Sequence, residues 1–364
     1  MSYYRISEKN LREFVYETFK KVGFTEQESK IITDVILLSD LYGIESHGVQ
    51  RFKMYHDYVK NGMVKKDKKA EVVYETPVSA TIDACFGMGQ IVGHKAMEMA
   101  IEKAKASGIG IVTVKNSNHY GIAGYYAKMA SNEGYLGLSF TNSGSIMVPT
   151  NGRVPMLGSN PIACAMPAEP VDFLFDASTT VVTHGKLEVY KKLGKDLPEG
   201  WALDERGKET RNPGLVVDNL KEGKGGGILP LGGSEEVHGG HKGYGYGMIA
   251  EIFTSILSLG MTSNYCLKDG VDGCSHGFIA IDPGIFGDRD EIKEHFSEFL
   301  KLIRESSKAE GSYRIYTHGE KEIIAMEDRL ARGILVNEAT FREIKEVAES
   351  INIDFNLDFE TSKE

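Results

Sequence analysis

The segment ESHGVQRF, residues 45–52, sets a histidine between a serine and a glycine, with an arginine four positions further on. Imidazole exchanges a proton near neutral pH, and guanidinium grips a carboxylate through two parallel N–H bonds. With Ser46 read as a helix N-cap, His47 lies in the first turn and Arg51 one turn later on the same face. The positive end of that helix and the guanidinium both oppose a proton on His47 unless a carboxylate answers them. Together the pair describes a site for a 2-oxo or 2-hydroxy acid. The plainer alternative is a capping serine beside a surface histidine–arginine pair.

Further candidates stand at strand ends, where α/β folds bind ligands. NSNHYGIAGYYA puts His119 where a strand gives way to a helix, and SFTNSGS does the same for Thr141, Asn142 and Ser143. LGSNPIA adds Ser159, Asn160 and Pro161, and FLFDASTT ends an apolar strand on Asp176, Ala177 and Ser178. A carboxylate there is costly unless it meets a histidine, a ribose or backbone amides. In GGHKGYGYG, His241, Lys242 and Gly243 open a helix, an arrangement suited to a cofactor phosphate or, more plainly, to a hinge. GMGQIVG, residues 87–93, lacks the spacing of a dinucleotide fingerprint, and the following strand, IVTVKNSNH, ends without a ribose-binding acid. It reads as a structural turn. No HxxxH or HExxH pattern occurs, so no metal site is expected.

Periodicity supplies the elements that carry these residues. Helices are predicted over 6–24, 25–43 and 47–62, with Ser7 as an N-cap and Thr25 with Glu28 as a capping box. Strands over 78–85, 108–117, 135–143 and 173–178 alternate with helices over 95–108 and 121–134. Residues 148–167 read as irregular, 198–240 as a glycine-rich loop, and the chain beyond 288 as mostly helical. The expected organisation is an N-terminal helical domain over 1–75, a mixed-sheet cofactor domain over 76–310, and a C-terminal segment, 311–364, packing back on the first.

The 364 residues carry a formal net charge of −10, with 41% hydrophobic and 26% charged residues. That balance supports a packed core and argues against nucleic-acid or lipid-surface binding, since both partners are polyanions. The first residues show no secretory pattern and no run suits a membrane span. Four cysteines without a CxxC pair fit a reduced cytoplasmic protein.

In this order DLYGIESHGVQRF, GMGQIVG, NSNHYGIAGYYA, TNSGS, LGSNPIA, FDASTT, GKLEVY, LGG…GGHKGYG and HGEKE resemble the non-Rossmann malate/L-lactate dehydrogenase family. The resemblance runs from about Leu11 to Arg329. It implies an α/β fold with a mixed-sheet cofactor domain and a second, mainly helical domain from both chain ends, assembled as a homodimer. It implies hydride transfer between NAD or NADP and a small carboxylate substrate, with L-malate and oxaloacetate favoured. Sulfolactate, lactate, ureidoglycolate or a cyclic imino acid are the alternatives inside the family. A histidine-based metal hydrolase or a catalytically silent ligand-binding protein are those outside it. By resemblance His47 is the acid/base with Ser46 beside it, Arg51 binds the substrate carboxylate, and Asp176 tunes the histidine or borders the nicotinamide. His119 competes for the acid/base role. Ser143, Asn160, Pro161, Asp176, Ala177, Ser178, His241, Lys242, Gly243, Gly319 and Glu320 are the expected cofactor contacts. The small SGSIMVP loop and the charged SEEVHGG stretch depart from many relatives and bear on substrate and cofactor choice.

Overall fold

The computed structural model describes residues 3–266, 273–355, 357 and 359–362. Strand β1 (Tyr3–Ile6) leads into α1 (Glu8–Lys21), where Ser7 accepts the Asn10 N–H as an N-cap should. Helix α2 (Glu26–Leu41) opens on the complete Thr25–Glu28 capping box. The third helix starts later than the periodicity predicts. Residues Glu45–His47 and Val49–Arg51 form two short 3-10 turns parted by Gly48, and α3 (Phe52–Lys60) begins only after them. Ser46 makes no capping bond, because the Asp40 carboxylate of α2 takes the Val49 N–H at 2.8 Å.

Next come β2 (Glu71–Glu75), β3 (Ser79–Asp83), α4 (Gly89–Ser107), β4 (Ile109–Ser117) and α5 (Ala123–Asn132). They are followed by β5 (Leu136–Thr141), β6 (Ile162–Met166) and β7 (Phe173–Ala177). Strand β6 lies inside the stretch expected to be irregular. A small lobe follows, with α6 (His184–Leu193), β8 (Ala202–Leu203), α7 (Pro213–Glu222) and β9 (Gly227–Ile228). It therefore gives the glycine-rich region elements of its own, packed around Leu187, Leu197, Ala202, Val216 and Ile228. Helix α8 (Gly240–Glu251) runs into a π turn, Ile252–Ile256, ahead of β10 (Cys274–Ile281). The chain closes with α9 (Arg289–Glu305), α10 (Glu320–Arg332), β11 (Ile334–Asn337), α11 (Glu338–Ser350) and β12 (Phe359–Ser362).

The main sheet has the order β2-β3-β4-β10-β5-β6-β7, with β3 and β4 parallel and the other pairs antiparallel. Such a mixed sheet is not a Rossmann unit. Helices α4 and α5 cover one face through Ala96, Met97, Ala100, Tyr126 and Ala127, against Val112, Val114 and Phe278. A second core joins Leu11, Phe19, Ile36 and Phe52 to Ile334, Ile344 and Val347, so the two chain ends share one interior. The sheet order β11-β1-β12 stitches those ends together and adds strands to a region expected to be mainly helical.

Register decides where the motifs meet. Ser117 pairs with Cys274, Thr141 with His276, Phe140 with Ile162, and Ile162 with Ala177. The ends of β4, β5 and β7 and the start of β6 therefore share one edge of the sheet. His119, Asn142–Ser143, Asn160–Pro161 and Asp176–Ser178 all emerge there. GMGQIVG leads to the same place. A methyl group on Gly89 would overlap the carbonyl of Asn118 and crowd that of His119, so this glycine lets α4 pack tightly behind the histidine.

Candidate active site

The Asp40 carboxylate fills the room where a side chain at Gly48 would stand, and its grip on Val49 folds the SHG segment into a tight turn. Arg329 of α10 holds the same turn from behind, donating to the Asp40 carbonyl and to the Glu45 carboxylate at 2.9 Å. Burial pushes the Asp40 carboxyl up to about 8, opposed by the Val49 N–H and the Arg329 charge.

The turn presents His47 to His119. Their rings face each other at 5.5 Å and 24°. Ser46 Oγ meets His47 Nδ1 at 2.9 Å, leaving Nε2 as the outer nitrogen. The Arg51 Nε donates to the Ser46 carbonyl at 2.9 Å, which aims the guanidinium toward the start of α6. There a Cβ on Gly185 would lie 3.6 Å from an Arg51 terminal nitrogen. His184 stands at the same place, its own value lowered by burial first and by Arg51 as well, against the raising effect of Glu188.

Two groups, one close and one longer, meet His119 Nδ1: the Tyr55 hydroxyl at 2.7 Å and the Gly121 N–H at 3.4 Å. An N–H can only donate, so Nδ1 accepts and the ring proton rests on Nε2. Burial, then His47 and Arg51, hold His119 well below the ordinary histidine value. Burial followed by Arg51 lowers His47 to about 4. Two imidazoles this close, beside a fixed cation, do not carry two protons.

Asp176 is joined to a backbone amide rather than to either imidazole: the Gly124 N–H donates to it at 2.7 Å. Burial raises its carboxyl to about 6, with the Gly124 bond pulling down and Glu322 pushing up. His276, between β4 and β5, bonds Thr141 Oγ1 at 2.8 Å, stacks on Tyr120, and is pushed down to about 3 by burial.

Of the expected cofactor segments, those around Ser143, Asn160, Ser178 and Gly243 form a hydrogen-bonded rim along the same edge, whereas Gly319 and Glu320 stand at the opposite end of β7. The Ser159 N–H donates to Ser143 Oγ at 3.2 Å, Thr179 Oγ1 to the Ser159 carbonyl at 3.0 Å, and the Leu231 N–H to the Thr179 carbonyl at 3.0 Å. Gly232 lies against Gly239, and Gly243 against Leu231, too closely for a side chain on either glycine. The LGG and GGHKG stretches thus meet backbone against backbone. At its end α8 begins with His241 and Lys242 exposed. A helix start with a lysine over bare backbone fits a pyrophosphate. The Asn160 side chain is turned inward, donating to Glu251 at 2.7 Å and to the Gly247 carbonyl at 3.1 Å. Gly319, at φ +102, packs on β7 near Asp172, while the Glu320 carboxylate accepts from the Thr317 N–H at 2.6 Å and from Arg314. Among the described residues no cluster of His, Cys, Asp and Glu could hold a metal ion.

Residues 6–345 match the family model described as malate/L-lactate dehydrogenase. The chain belongs to this family. It is 43% identical over 355 residues to a malate dehydrogenase of Pyrococcus horikoshii, covering 97% of each chain. It is 35% identical to an L-sulfolactate dehydrogenase of Methanocaldococcus jannaschii, covering 95% of this chain and 97% of the relative. The crystal structure of malate dehydrogenase from Entamoeba histolytica superposes with a TM-score of 0.93 at 36% identity, over 97% of this chain and 99% of that one. The protein is accordingly an oxidoreductase acting on the CH–OH group of a hydroxy acid, with a nicotinamide cofactor.

Tyr55, Asp40, His184 and Glu251 were not among the residues singled out from sequence as site groups. Asp40 and Glu251 had a readable signal, each being an acid inside an otherwise apolar helical run, ILLSDLYG and GMIAEIF. Tyr55 had none, since its partner is 64 positions away.

Proposed function

We propose that this member interconverts L-malate and oxaloacetate, with His47 as the acid/base and His119 as a neutral hydrogen-bond donor. The observation that carries the reading is the stacked imidazole pair beside Arg51 at the sheet edge. Arg51 fixes a substrate carboxylate and so decides which carbonyl face is presented. The His119 Nε2–H donates to the substrate oxygen, and His47 Nε2 takes the hydroxyl proton on oxidation and returns it on reduction. When bound, a nicotinamide would supply the hydride chemistry at the carbon bearing that oxygen. The rim from Ser143 to Gly243 would hold it, with Lys242 and the start of α8 toward its phosphates.

A cleft beside Gly232 and Gly233 is lined by Glu199, Glu209 and Glu235. Carboxylates accept ribose hydroxyls and repel a further phosphate, which supports NAD over NADP. The thiols of Cys85, Cys164 and Cys266, held in no disulfide, support a cytoplasmic setting. An exposed apolar stripe on α8 supports a homodimer. Among the described residues no helix is long and apolar enough to cross a membrane.

The test is oxidation of NADH and of NADPH with oxaloacetate, pyruvate, sulfopyruvate, diketogulonate and a cyclic imino acid. Oxaloacetate with NADH is expected to stand well above the rest; another acid in that position would replace the substrate named here. His47→Ala and Arg51→Ala should each lower kcat/KM by roughly a hundredfold or more. If His119→Ala is the more damaging change, the two histidines exchange roles.

A further inference from the structure

Glu251, the last residue of α8, is 3% exposed, yet its carboxylate is surrounded by neutral donors. The Ser255 hydroxyl at 2.7 Å, the Ser263 N–H at 2.8 Å and the Asn142 amide at 3.2 Å donate to Oε1. The Asn160 amide and the Ser263 hydroxyl, both at 2.7 Å, donate to Oε2. Removing a carboxylate from water is tolerated only when its lone pairs are covered, and here five donors cover them.

We propose that Glu251 is the positioning residue of the cofactor rim, holding the loop after β5 and the loop before β6 in register through Asn142 and Asn160. This rests on the reading of Ser143 and Asn160–Pro161 as cofactor segments. Asn160 sits at φ +36, a conformation that a residue with a side chain keeps only when its surroundings hold it. The Thr179 N–H and hydroxyl both donate to the neighbouring Ser159 carbonyl, at 2.8 and 3.0 Å, so the segment after β7 hangs on the same loop. Neither asparagine can be reversed without loss. Asn142 Oδ1 accepts the Ser275 N–H at 2.8 Å while its Nδ2 also donates to the Met261 carbonyl at 2.8 Å. Asn160 Nδ2 also serves the Gly247 carbonyl. A glutamine at 251 would therefore set its NH2 against an asparagine NH2 whichever way it turned. The π turn that follows Glu251 brings Ser255 back onto Oε1, and such turns often mark functional positions.

The experiment is a fluorescence titration of NADH into the full-length protein and its Glu251→Gln, Ser263→Ala and Asn160→Ala variants. Glu251→Gln is expected to weaken NADH by roughly tenfold or more, and Ser263→Ala by a few-fold in the same direction. A variant that merely folds less well shows fewer binding sites at an unchanged Kd, which separates positioning from loss of structure. Wild-type Kd in Glu251→Gln and Ser263→Ala, with Asn160→Ala weakened, overturns the role of Glu251 and leaves the cofactor reading standing. Wild-type Kd in Asn160→Ala overturns both. Should Glu251→Gln not fold, Ser263→Ala decides: a weakened Kd upholds the role and an unchanged one ends it.

Discussion

At His119 the Tyr55 hydroxyl and the Gly121 N–H converge on Nδ1, and that convergence decides what the opposite nitrogen can do. With Nδ1 accepting, the neutral ring offers an Nε2–H and cannot take a proton from a hydroxy acid. Removing the hydroxyl in Tyr55→Phe leaves only the long Gly121 bond and lets the ring proton move to Nδ1. Nitrogen-15 NMR of the variant is expected to show a mixed tautomer, with kcat/KM down by roughly tenfold; an unchanged tautomer and rate would sink the assignment. His47 sets a different observable. Its folded value is lowered to about 4, so the neutral, proton-accepting form prevails above pH 5 and is lost as pH falls through about 4. The acid limb of kcat/KM for hydroxy-acid oxidation should lie there, not near 6.5. A substrate carboxylate on Arg51 offsets part of the charge that lowers His47, so the limb in kcat should lie at higher pH than the limb in kcat/KM.

Between α2 and α3, the turn that carries Ser46 and His47 depends on a buried contact that helix periodicity does not register. The sequence spacing put Ser46, His47 and Arg51 on one helix, whereas Asp40 captures the Val49 N–H and breaks that helix at Gly48. A methyl group at Gly48 would overlap the Asp40 carboxylate itself. Gly48→Ala should therefore displace the turn and cost roughly a hundredfold in kcat/KM, with the seven-stranded sheet left intact. Circular dichroism checks the second half of that statement, and near-normal turnover would contradict the first. The long helices and alternating strands were legible because one face of each is buried and the period shows through. Strand β6 was not, since IACAM is a short run between prolines. Strand β10 was not either; it lies between β4 and β5 with nearly every residue buried, so it shows no alternation. Resemblance brought the motifs to one site, and register alone explains why they meet, since β4, β5 and β7 end along one edge while β6 begins there.

For the molecule as a whole, the proposed role of Arg51 would reconcile a charge of −10 with an anionic substrate locally, through one guanidinium beside the start of α6. One face that the single chain leaves uncovered is apolar. Tyr246, Ile249, Ile252 and Ile256 are 42 to 51% exposed and recur along one face of α8 and its π turn, while Gly247, Ala250 and Thr254 face inward. A stripe of that kind is covered in a stable soluble assembly. It belongs to the helix that starts with His241 and Lys242 and ends at Glu251, so a second copy docked there would steady the rim from outside. The double change Ile249→Glu, Ile256→Glu tests this, because two carboxylates in a closed apolar contact prevent association. Sedimentation is expected to give a dimer for the natural chain and a monomer for the variant, with NADH affinity falling in the monomer. A natural chain that sediments as a monomer would remove the dimer. A monomeric variant with unchanged NADH affinity would keep the dimer but separate it from the cofactor rim.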